Sequence, residues 1–196
     1  MSSFNVAQII PSLESGGAER GTIDVSNYLS ELEINNNIIS NGGNLLNETN
    51  TNFTNHFKLP VDSKNFITFP FIASRINKLI SNKNINIAHV RSRGPAWILR
   101  FANTRNIKTI STFHNVYSGT SFLKKYYNKQ LANVDRVVAI SSYVKNEIVN
   151  KYKIDKQKVE VINRGVDVDY YDKKFSDYDI KNFLNKKLIN PDKKII

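Results

Sequence analysis

Val6-Ala7-Gln8-Ile9-Ile10-Pro11-Ser12-Leu13-Glu14-Ser15-Gly16-Gly17-Ala18-Glu19-Arg20 is the stretch that decides the fold. Val6 to Ile10 read as a buried strand, ended by Pro11, and Gly16-Gly17 turn the chain. From Ala18, small or apolar residues recur at Thr22, Val25, Leu29 and Leu32, spacings that predict a helix with this face on the core. A strand, a glycine turn and a helix together read as the first unit of a parallel α/β sheet.

The rest of the chain repeats the alternation. Asn37 to Ser40 read as a short strand closed by Gly42-Gly43, residues 44–55 as a poor helix or loop, and Phe57 to Leu59 as a third strand. Ile72, Ile76, Leu79 and Ile80 mark a helix. Strands are expected at Asn86–Val90, Lys108–Phe113, Arg136–Ile140 and Val159–Ile162. Between them, Pro95 sits in the first turn of one helix, Phe122 to Ala132 form another, and Ser141 or Ser142 caps a third. Ser176 caps a last helix to about Leu188. Apolar strands without alternation are buried on both faces, so the fold class is α/β: a Rossmann-like parallel sheet with helices on both faces.

The chain has 196 residues, with 40% hydrophobic and 11% aromatic content, enough to bury a core without staples. The absence of cysteine excludes disulfide scaffolds, thiolate zinc sites and cysteine nucleophiles. Three scattered histidines suggest no metal site. No run approaches 18 apolar residues, the length a membrane-crossing helix needs, and the start shows no basic n-region of a signal peptide. The net charge is +11, but residues 1–60 carry −4, residues 61–144 carry +11 and residues 145–196 carry +4. A/T-rich coding would raise Lys, Asn and Ile everywhere. The clustering of cations in the middle, where Asp62 and Asp135 are the only acids, points instead to an anionic partner.

In such a fold, ligands sit beyond the carboxyl ends of the strands. Gly16 and Gly17, at a helix start, suit either close approach to an anion or a plain tight turn. Arg91 and Arg93 precede a helix and suit a phosphate or carboxylate, with few local acids to pair them otherwise. His89 lies inside a strand and reads as a core histidine. His114 and Asn115 follow a strand end, where a binding residue belongs. Phe122, Lys124, Lys125, Tyr126, Tyr127 and Lys129 form a basic, aromatic helix, suited to an anionic membrane surface or simply to a solvated face over a core.

Taken in order, these loops resemble the N-terminal domain of GT-B glycosyltransferases of family 4. The resemblance is carried by Ile9–Arg20, His89-Val90-Arg91-Ser92-Arg93, Thr112-Phe113-His114-Asn115, Arg136–Ser141 and Val161-Ile162-Asn163-Arg164-Gly165-Val166-Asp167. Arg91-Ser92-Arg93-Gly94-Pro95-Ala96-Trp97 looks most like bacterial lipopolysaccharide or cell-surface glycan types. The resemblance implies a retaining hexosyl-type transfer from a nucleotide-sugar to a lipid-linked or cell-surface glycan acceptor. It implies no metal and no cofactor beyond the nucleotide-sugar substrate. It assigns the donor-sugar contact to His114, and donor or acceptor binding to Gly16, Gly17, Arg91, Arg93, Asn115 and Arg164.

The expected organisation is an acceptor-side domain over residues 1–175, then a helix and linker over residues 176–196 leading into a donor-binding domain beyond Ile196. On this expectation the chain is the front part of a longer enzyme and is inactive alone. The expected place is the cytoplasm, peripheral to the inner face of the plasma membrane, with no nucleic-acid partner. The alternative is a non-catalytic module that binds anionic lipid or glycan and lacks the donor domain.

Overall fold

The computed structural model describes residues 4–119, 121–166, 168, 172 and 174–187. Seven strands form one sheet: β1 (Asn5–Ile9), β2 (Asn35–Ser40), β3 (Thr54–Lys58), β4 (Ile87–Val90), β5 (Lys108–Phe113), β6 (Arg136–Ala139) and β7 (Val159–Val161). Their order is β3-β2-β1-β4-β5-β6-β7 and every pairing is parallel. The connecting helices are α1 (Gly17–Glu31), α2 (Phe69–Asn82), α3 (Arg93–Leu99), α4 (Phe122–Lys129) and α5 (Ser142–Tyr152). This is the Rossmann-like α/β fold that the apolar strands imply.

The helices divide between the two faces. Phe69, Ile72 and Ile76 of α2, Ile98 of α3 and Ile148 of α5 share the main core with Ala7, Ile9, Ile39, Val90, Phe113 and Val137 from the sheet. Ile23 of α1 packs on the opposite face with Ile10, Leu13 and Ile38. Caps set the helix starts: the Ser141 hydroxyl accepts from Val144 N–H, and the Ser121 side chain accepts from Lys124 N–H.

The face of α1 corrects the periodicity argument. Val25 and Leu32 are 38% and 51% exposed, and the buried side is Thr22, Ile23, Ser26 and Ser30. The sheet below presents polar groups, and these select small polar helix residues. Gln8 Nε2 donates to the Thr22 carbonyl (3.0 Å) and to Ser26 Oγ (2.7 Å). Asn36 of β2 and Thr54 of β3 bond one another, and Thr54 also bonds the Ser30 hydroxyl at 2.8 Å. Turning Val25 or Leu32 inward would strand these buried groups.

Residues 1–163 and 164–196 are two compact units. In the second, α6 (Asp177–Lys186) starts with a capping box: Ser176 Oγ accepts from Asp179 N–H, and the Asp179 carboxylate accepts from Ser176 N–H. The expected end of this helix at Leu188, the linker at Pro191–Ile196 and Asp167 lie outside the described residues.

Candidate active site

Seven parallel strands bring all their carboxyl ends to one edge. The strand order reverses between β1 and β4, so the loops after these two strands flank the switch point where this fold binds ligands. The loops before α1, α3 and α4 all lie at that edge, and they contain Gly16, Arg91 and His114 respectively.

Gly16 is the N-cap of α1 at φ +138°, a backbone region that side chains avoid. A Cβ there would lie 2.6 Å from Glu19 Oε2. The Glu19 carboxylate therefore covers the exposed glycine turn and already complements the α1 dipole. The Gly42-Gly43 loop after β2 is sewn to the loop after β1: Leu13 N–H donates to the Gly42 carbonyl (2.8 Å), and Leu45 N–H to the Leu13 carbonyl (2.9 Å).

Arg91 is 5% exposed, and its guanidinium points into the interior. Nε donates to Gln8 Oε1 at 2.8 Å, and Nη2 bonds the same oxygen. With Gln8 also holding Thr22 and Ser26, Arg91 ties the end of β4 to α1. Gly21 faces the guanidinium, and a side chain there would meet Nη1 at 3.9 Å. His89 accompanies it, with Nε2 at 2.8 Å from Thr112 Oγ1. Burial first, then the charges of Arg91 and His114, hold His89 well below the usual histidine range, so it is neutral at pH 7. His114 is half-buried with Nε2 closed off from solvent, and Asn115 beside it is exposed. The structure thus gathers Arg91, His89 and His114 within electrostatic reach behind the strand edge.

Arg93 faces a different neighbourhood. Its guanidinium lies over the Tyr117 ring at 4.1 Å and the Tyr127 ring at 5.6 Å, and Nη1 donates to Asn128 Oδ1 at 2.8 Å. Burial pushes the Tyr117 phenol up, against the opposing pull of Arg93. Asn128 is buried and also donates to the Ser118 carbonyl (3.2 Å), so one amide braces both α3 and the loop before α4. The apolar spacing of α4 alone does not single out Asn128. A usable signal is a polar residue three positions before the buried Leu131, on the inward face of its helix.

On α4, Phe122 and Leu123 are 80% and 76% exposed, and Lys124, Lys125 and Lys129 are exposed as well. Tyr127 is only half-exposed, because it stacks on Trp97 (5.8 Å between centroids) and meets Phe66 edge-on. Tyr126 also packs on Trp97. Both tyrosines therefore fasten α4 to α3, while Phe122 and Leu123 carry the free apolar end. Arg164 opens the second compact unit and is exposed. Among the described residues, no three His, Asp or Glu side chains gather as metal ligands, and no helix is long and apolar enough to cross a membrane.

An all-parallel sheet with this strand order is a Rossmann-like α/β domain. The chain belongs to Glycosyltransferase Family 4, which matches residues 15–170. It is similar to a glycosyltransferase from Rickettsia africae ESF-5, with 36% identity over 98% of this chain and 51% of that one, at a TM-score of 0.79. Anabaena Alr3699/HepE, solved with UDP and glucose, shares 16% identity over 94% of this chain and 50% of that one, at a TM-score of 0.70. WaaG, a glycosyltransferase involved in lipopolysaccharide biosynthesis, shares 9% over 95% and 52%, at a TM-score of 0.68. The latter two likenesses concern the fold alone. The chain spans about half the length of these solved structures. No protein of curated function matches it.

Proposed function

We propose that this chain is the acceptor-side half of a retaining hexosyltransferase. It moves a sugar from a nucleotide-sugar to a lipid-linked or cell-surface glycan acceptor, at the inner face of an anionic membrane. The observation that carries the reading is the placement of His114, with Gly16-Gly17 and Arg93, on the switch-point edge of a Family 4 domain. Supporting it, Anabaena HepE has been solved with UDP-glucose, a nucleotide-sugar donor. WaaG, of the same fold, is involved in lipopolysaccharide biosynthesis.

In the transfer, the bond between the anomeric carbon and the diphosphate oxygen breaks, one to an acceptor hydroxyl oxygen forms, and that hydroxyl's proton passes to the departing diphosphate oxygen. His114 holds a donor-sugar hydroxyl, while the charge on the leaving diphosphate is met by the donor-binding half. Arg91 is a positioning residue, because its guanidinium is bonded to Gln8, which in turn holds α1. Neither metal nor cofactor takes part. Attachment to the membrane is peripheral, through Phe122, Leu123 and the α4 lysines.

The test compares this chain with the same chain joined to its donor-binding half, using UDP-glucose and membrane extract as acceptor. The joined form should transfer glucose and the isolated chain should not. His114→Ala in the joined form should lower the rate by roughly 10² or more, as loss of one positioned polar contact does. A wild-type rate in that variant removes His114 from the site. Absence of transfer in the joined form, with vesicle binding intact, leaves the non-catalytic lipid or glycan module.

A further inference from the structure

Beside the strand edge lies a groove of about 500 Å3, lined by Arg93, Ser118, Leu123, Lys124, Tyr127 and Asn128. Two of its six lining groups are cations, and no carboxylate pairs with either among the described residues. Asp62 and Asp135, the only acids in residues 61–144, are engaged elsewhere, with Asn41 and Thr109. Arg93 is nevertheless held in place, over Tyr117 and Tyr127 and by Asn128. A guanidinium offers a planar fork of N–H donors, and Asn128 takes only one of them. The ordering that binding an anion would require has thus been met on folding.

The walls are equally built. Gly119 sits at φ +138°, and a Cβ there would lie 2.8 Å from the Lys124 Cβ, so the loop closes tightly against Lys124. Asn128 holds that loop through the Ser118 carbonyl. Leu123 and the Tyr127 ring give an apolar side, against which a phosphate-bearing ring or chain can lie, and such a side strengthens nearby charge pairs by displacing water.

We propose that this groove seats the phosphate monoester of an anionic acceptor, between the Arg93 fork and Lys124. It deepens the transferase reading above and rests on it for the ligand's role as acceptor. The phosphate can belong to a phosphorylated sugar or to a lipid headgroup, and both present the same dianion to the same two cations.

The test titrates the 196-residue chain with glucose 6-phosphate, with dihexanoyl phosphatidic acid below its micelle concentration, and with glucose as the uncharged control. Binding is read by calorimetry and by amide shifts of Ser118 and Leu123. At least one phosphate probe should bind saturably and ten times or more tighter than glucose. Tighter glucose 6-phosphate assigns a phosphorylated glycan, and tighter phosphatidic acid assigns a lipid headgroup. Lys124→Gln and Arg93→Gln should each weaken binding about tenfold, as loss of a charge-assisted contact does. Lys124 is exposed, so its variant decides the matter even if Arg93→Gln unfolds. Equal affinity for glucose and both phosphate probes, or an affinity unmoved by Lys124→Gln, overturns the proposal. Phosphate binding without transfer by the joined form would sink the transferase reading and leave the groove. Transfer without phosphate binding would do the reverse.

Discussion

Replacing Gln8 by Leu removes the acceptor that two guanidinium N–H groups of Arg91 share, and both bonds to α1. Leu matches Gln8 in size, so the loss is polar rather than a cavity. Hydrogen bonds to a charged group contribute about 1.5–3 kcal/mol. Arg91 is 5% exposed, so little water can replace Gln8, and we expect a loss of about 3 kcal/mol. With a urea m-value of about 2 kcal/mol/M for a chain this size, the midpoint should fall by about 1.5 M. Trp97, the only tryptophan, packs within the first unit and reports its unfolding by fluorescence. Adding Arg91→Met to Gln8→Leu should restore at least about 1 kcal/mol, since it also removes the guanidinium that has lost its Gln8 acceptor. A single-variant loss below about 1 kcal/mol, or a double variant no more stable than Gln8→Leu, would refute the view that Arg91 serves the interior.

Gly43→Ala should cost about 2–3 kcal/mol, measured by the same urea midpoint, because φ is +143° and a Cβ would lie 2.8 Å from Glu14 N. Asp135 gives a pH-dependent change. Burial tends to raise its carboxyl, but the Thr109 N–H and O–H bonds with Lys108 and Lys158 outweigh this and hold it below the usual range. Its stabilisation is therefore present above the unfolded value of about 3.9 and lost as pH falls through the lower folded value. Wild type should be more stable than Asp135→Asn in urea at pH 7, and the gap should close towards pH 2. On α4, Lys124, Lys125 and Lys129 each contribute about 1 kcal/mol near an acidic bilayer, so replacing all three by Ala should weaken binding to acidic vesicles about 10²-fold at low salt. Cosedimentation that is equal for neutral and acidic vesicles would leave these lysines as an ordinary solvated face.

The fold was legible because its determinants are local. Lys108–Phe113 is a β-branched run that becomes β5 with the same bounds, and Ser141 and Ser176 cap the helices that follow them. Parallel strands buried on both faces announce themselves as apolar runs, and their carboxyl ends carry Gly16, Arg91, Arg93 and His114 by position alone. What each of those side chains touches was not legible. Arg91 and Arg93 are two residues apart, yet one enters the interior and the other lies over tyrosines at a groove. The difference comes from partners 83 residues away in Gln8 and 35 away in Asn128. The face of α1 differs from its periodicity for the same reason, since hydrophobic spacing cannot register a sheet whose interior is Gln8, Asn36 and Thr54. Sequence by itself determined the α/β order and the edge where the loops meet, because backbone propensity and apolar pattern act over a few residues. Only the tertiary structure decided which polar groups are buried and which remain to meet a ligand, because a buried polar group is stable only where a distant segment supplies its hydrogen-bond partner.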